Sequence, residues 1–212
     1  MASSSFAASA WTSTPWTKIQ DRPTFIEFDW RTATGPGTAD GGLTLWIDGA
    51  QIANCANLDN NTRRVDYVQL GAVAGLDTGT RGTEYFDAFE SRRQTYIGAD
   101  PAIPPQPPPP VPPDLMFADG FESGSFSAWS ASTTDSGDLS VSTPAALVGT
   151  NGMQALLDDN VSIFVTDWTP SNEPRYRARF YFDPNSIPLS APAGIGSRRR
   201  KPAHLVRQLP RA

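Results

Sequence analysis

Leu43-Thr-Leu-Trp-Ile-Asp-Gly-Ala-Gln-Ile-Ala-Asn54 decides the fold of this chain. Two short apolar-rich runs flank Asp48-Gly49, a dipeptide that supplies the positive φ of a tight two-residue turn, so the segment reads as a β-hairpin. In its first arm Leu43, Leu45 and Ile47 share one face, and Thr44, Trp46 and Asp48 the other. Upstream, Thr24-Phe-Ile-Glu-Phe-Asp-Trp30 repeats the period of two, with Ile26, Phe28 and Trp30 opposite Glu27 and Asp29. Downstream, Arg64–Leu70 and Glu84–Glu90 read as two more strands, separated by a Gly/Thr/Asp loop. Five strands over about 70 residues, with no helical periodicity, predict an antiparallel sandwich.

This β-rich segment ends at Pro101-Ala-Ile-Pro-Pro-Gln-Pro-Pro-Pro-Pro-Val-Pro-Pro113, where nine of thirteen residues are proline. Such a run donates almost no backbone hydrogen bonds and is expected to be a polyproline II spacer. Beyond it, strands are expected at Leu115–Phe117, Asp138–Ser142, Gln154–Leu157 and Val161–Val165. Arg175-Tyr-Arg-Ala-Arg-Phe-Tyr-Phe182 is the clearest strand there: Tyr176, Ala178, Phe180 and Phe182 share one face, and Arg175, Arg177 and Arg179 the opposite, solvated one. The alternation stops at Ile187. The chain therefore divides into 1–98, a linker 99–114, 115–187, and a basic tail 188–212 expected to be disordered. The abrupt change at Ile187 also fits a shifted reading frame.

Composition excludes several functions. The single Cys55 allows no intrachain disulfide, and the single His204 sits in the basic tail, which removes Cys/His zinc sites and histidine triads. Cys55 is expected to be a small apolar filler. From Leu189 onward there are six basic residues and no acidic ones, leaving 11 basic against 22 acidic residues in the body. An acidic body repels nucleic acid, so none is expected as a partner. No run reaches the roughly 18 apolar residues of a membrane span, and the first residues lack the charged and apolar regions of a signal peptide.

Phe25-Ile-Glu-Phe-Asp-Trp-Arg31, Gly42-Leu-Thr-Leu-Trp-Ile-Asp-Gly49 and Tyr85-Phe-Asp-Ala-Phe-Glu-Ser91 together resemble the C-terminal half of concanavalin A-like jelly rolls of the laminin G type. Phe117-Ala-Asp-Gly-Phe-Glu-Ser-Gly124 with Ala128-Trp-Ser130 resembles the opening strand of the same modules in large bacterial surface proteins. The resemblance implies a jelly-roll sandwich, an extracellular or cell-surface parent with tandem repeats, and glycans or neighbouring repeats as partners. First and last strands lie near each other in such modules. The two segments therefore carry complementary strand sets, which allows either one circularly permuted sandwich closed across the spacer or two incomplete sheets with exposed edges. Pairing within one chain or between two is equally compatible with the sequence.

Three constellations carry candidate chemistry. Glu27 and Asp29 resemble the paired acids that glycosidases of this fold place on one strand, and positions i and i+2 suit the ~5 Å separation of a retaining pair. No third carboxylate follows them, since Arg31 takes the next position on that face. Asp87, with Asp119 or Glu122, is the set the resemblance implies for Ca²⁺ between the terminal strands, hard carboxylate oxygens being the ligands that cation takes. Trp46, Tyr67 and Tyr85 could offer π faces to sugar rings. The reading that follows is a non-catalytic carbohydrate-binding, adhesive or spacer fragment. Its alternatives are a remnant of a glycoside hydrolase of the same fold and a truncated product without a function of its own.

Overall fold

A computed structural model describes residues 17–76, 79–99, 114–185 and 187, together with the backbone of Val206 and Arg207. The proline run and nearly all of the basic tail lie outside the described residues, and with them the linker and disorder expectations. Among those described, the chain is all-β and forms two antiparallel sheets.

The hairpin is present: β2 (Gly41–Ile47) and β3 (Ala50–Leu58) are joined by Asp48 at φ 49° and Gly49 at φ 78°. Both turn residues are left-handed, the requirement that makes Asp-Gly the preferred pair. The Asp48 carboxylate also accepts the Phe25 N–H at 3.0 Å, tying the turn to β1 (Thr24–Arg31). β4 (Val68–Ala72) is shorter than expected. Arg64–Tyr67 lies outside the strand, with only Val65 bridged to Glu173. β5 (Gly82–Arg92) is the long strand of the first segment.

The second segment supplies β6 (Leu115–Asp119), β7 (Ala131–Thr133), β8 (Leu139–Ser142), β9 (Gly152–Leu157), β10 (Ile163–Asp167) and β11 (Arg175–Asp183). A two-residue β12 (Val206–Arg207) pairs with β4. The exposed Ala131-Ser-Thr133 strand gave no apolar alternation to detect.

Strands of the two segments interleave. The large sheet runs β3-β2-β1-β11-β5-β9-β8, and the small one β12-β4-β10-β7. β11 of the second segment lies between β1 and β5 of the first, with Ile26 opposite Phe180 and Phe182 opposite Phe86. The halves thus dock within one chain. β5 and β6, the strands on either side of the proline run, are antiparallel neighbours. The flanks of the run meet as well: Arg93 donates its N–H to the Asp114 carbonyl at 3.0 Å, and the Asp114 carboxylate accepts the N–H groups of Gln94 and Thr95.

β5 carries two partners along one edge, Gly82–Phe86 against β9 and Phe89–Arg92 against β6. Between them Ala88-Phe89 is a bulge: the single residue Phe180 on β11 opposes these two on β5, and Ala88 takes φ 46°. The extra residue keeps both Phe86 and Phe89 turned inward.

The core lies between the sheets. Phe86, Phe89, Tyr176, Phe180 and Met153 of the large sheet meet Val68, Leu70, Ile163 and Val165 of the small one. Each buried side chain of this size contributes roughly 1.5–3 kcal/mol, and neither half alone covers the apolar face it presents.

Candidate functional site

The face of the large sheet turned away from the core was expected to be wet. Its acids and arginines are instead largely buried, which corrects that expectation. Glu27 has no solvent access, and Arg177 and Arg179 are 8% and 4% exposed. Strand register explains this: Asp29 stands directly opposite Arg177, Glu27 opposite Arg179, and Arg179 opposite Glu90 on the next strand.

Arg177 is the hub. It donates to Glu27 Oε1 at 3.0 Å and to Asp29 Oδ2 at 2.9 Å. Arg175 grips both Asp29 oxygens, at 3.1 and 2.9 Å. Arg179 and Arg92 share Glu90, at 3.1 and 2.6 Å. A ladder of charge-assisted bonds therefore crosses β1, β11 and β5. The stretch after β5 covers it, because Ile97 and Gly98 donate their N–H groups to Glu27 Oε1 and Oε2 at 3.1 and 2.9 Å.

That arrangement leaves Glu27 with both oxygens engaged and no path to a substrate, while Asp29 is claimed by two guanidinium groups. A general acid must release a proton to a leaving group, and a nucleophile must reach a carbon. Neither carboxylate meets its condition in this geometry.

Of the three expected sugar-facing rings, Trp46 alone stands in an aromatic group. Its partner is Tyr96, edge-on at 5.9 Å between ring centres. The Arg177 guanidinium lies 5.2 Å from the Trp46 ring and 5.6 Å from that of Tyr96. Trp46 is half-buried and Tyr96 is 48% exposed, so the pair presents an aromatic surface above the charge ladder. Tyr85 lies on β5 opposite Asp183, and Tyr67 precedes β4 of the other sheet; neither contacts another ring among the described residues. Tyr96 escaped the sequence reading because it lies in an irregular stretch beside the prolines.

The three acids expected at a cation are spread along the seam between the halves, where they bind main-chain N–H groups. Asp87 accepts those of Ala88, Leu147 and Val148 at 2.6, 2.8 and 2.8 Å. Glu122 Oε1 accepts those of Thr150 and Asn151 at 2.9 and 3.1 Å. Asp119 accepts the Phe121 N–H at 3.0 Å and the Trp129 indole N–H at 2.8 Å.

As arranged, both oxygens of Asp87 and of Asp119, and Oε1 of Glu122, are taken up by N–H donors. Among the described residues, no group of three or more His, Cys, Asp or Glu side chains is placed to hold a metal ion. Burial raises the Asp87 carboxyl to about 6 against the pull of its three N–H donors, with the Glu122 charge adding to the rise.

The residues that carry the resemblance to the opening strand therefore pack and cap. Phe121 is fully buried and stacks on Trp129, with ring centres 6.0 Å apart and planes 7° off parallel. Phe89 of the first segment closes on Trp129 at 5.2 Å. Gly149 takes φ 75°, and a Cβ there would collide with the Glu122 carboxylate.

No helix among the described residues is long and apolar enough to cross a membrane. Neither a protein-family model nor a curated protein matches the chain.

Proposed function

We propose that this chain is a non-catalytic carbohydrate-binding module of a repetitive extracellular protein. In this reading the end of one laminin G-like repeat and the start of the next close into one permuted sandwich. The observation that carries the non-catalytic part is the state of Glu27: buried, bonded to Arg177, and accepting two backbone N–H groups. The binding part is supported by the half-open Trp46–Tyr96 pair on the same face, a ring surface suited to the CH groups of a pyranose.

The test is calorimetric titration with soluble polysaccharides, alongside an assay for released reducing ends. Micromolar to millimolar binding without turnover, weakened at least tenfold in a Trp46→Ala, Tyr96→Ala double variant, supports the proposal. Turnover abolished by Glu27→Gln would return the chain to the glycoside hydrolases. Absence of binding across the panel would reduce the module to a spacer.

A further inference from the structure

A second aromatic feature lies at the end of the small sheet, away from the charge ladder. Trp168, the residue after β10, is 59% exposed, more than any other large apolar side chain among the described residues. With Asp66, Pro170 and Ser171 it lines a depression of about 240 Å³.

The depression is held firmly. The Asp167 carboxylate accepts both the N–H and the hydroxyl of Thr169, at 2.8 and 2.6 Å, so a local turn presents Trp168 outward. The Trp168 N–H donates to the Ser130 hydroxyl at 3.1 Å, and Asn172 donates its N–H to Asp66 Oδ1 at 2.9 Å. Asp66 belongs to the first segment and Trp168 to the second, so the depression forms only where β4 pairs with β10.

We propose that this depression is a second saccharide site, taking one neutral pyranose unit; the inference rests on the sugar-binding reading above. An indole face fixed in solvent offers a stacking surface for the CH groups of one side of the ring. A carboxylate and a serine hydroxyl beside it supply the acceptors and donor that adjacent sugar hydroxyls need. The volume is below the ~300 Å³ at which pockets for drug-sized ligands begin, which limits the occupant to one small ring. Asp66, whose carboxylate accepts the Asn172 N–H, lines the depression beside the indole.

The indole N–H resonances of the intact protein, followed by NMR during titration with neutral glucose and mannose oligomers, test the site. The expected result is a progressive shift of the Trp168 signal. Trp168→Ala, a surface change that leaves the core intact, should weaken that binding at least tenfold while the Trp46 signal still responds. A Trp46 response with the Trp168 signal unmoved, and unchanged affinity in Trp168→Ala, overturns this site and leaves the module reading standing. Silence of both signals overturns both. A Trp168 shift with a quaternary ammonium salt and none with sugars overturns the saccharide assignment.

Discussion

The outer-face acids and the seam acids are the same functional group in two settings, and their partners separate them. Glu27, Asp29 and Glu90 face guanidinium groups from neighbouring strands, whereas Asp87, Asp119 and Glu122 face chiefly main-chain N–H groups. In the first region each ion pair joins two side chains, which can be removed together, although Glu27 also accepts the Ile97 and Gly98 N–H groups. In the second the donors belong to the backbone and outlast any substitution. Both sets join the halves: Glu27 and Asp29 reach β11, and Asp87 reaches the loop before β9. Acids that sequence alone suggests for catalysis and metal binding thus act as fasteners between two segments of chain.

The largest effect is expected from Arg177→Ala, which strands Glu27 without solvent and should cost about 3–5 kcal/mol in chemical denaturation. Pairing Arg177→Met with Glu27→Gln should recover at least half of that loss. Failure to recover it would erase the distinction between the two regions. Asp87→Ala should cost about 2–3 kcal/mol, because the Leu147 and Val148 N–H groups lose their shared acceptor, and no second substitution should restore it.

A smaller effect concerns pH. The Asp87 carboxyl lies at about 6, and Glu84, on the Phe86 side of β5, is pushed up to about 7 by burial. Both values are raised, so the folded state holds these protons more tightly than the unfolded chain does. The stability they confer is complete below pH 4 and lost as pH rises through 6 and 7. Glu84→Gln should flatten the decline between pH 5 and 7 and add about 1–2 kcal/mol at pH 8, solvent access limiting the gain. A variant that follows the parent curve would show that Glu84 meets water freely. Smallest of all is calcium: the melting temperature in millimolar Ca²⁺ should match that in chelator, and a rise of several degrees would mean that the seam acids exchange their N–H donors for a cation.

Local pattern carried much of the fold. The Asp48-Gly49 turn and the alternation of β1 and β11 follow from neighbouring residues, and the structure places their apolar faces inward. The wetness of the opposite face did not follow. The partners Glu27 and Arg177 are 150 residues apart, and the cover at Ile97 and Gly98 comes from a segment with no regular pattern. An alternating Arg or Glu run looks identical whether it meets water or opposite charge on the next strand. Trp168 did leave a trace: a tryptophan inside Asp167-Trp-Thr-Pro-Ser-Asn-Glu-Pro174, a turn-forming stretch, is large for a loop with nothing to pack on.

That the proline run joins two halves of one sandwich can be checked by placing a protease site within residues 101–113, cleaving the purified protein, and measuring its mass in solution by light scattering during size exclusion. Both fragments should elute together at the mass of the uncut monomer, because the β1–β11, β5–β11 and β4–β10 pairings hold them. Separation into two species on cleavage, or elution of the uncut protein as a dimer with exchanged halves, would contradict it.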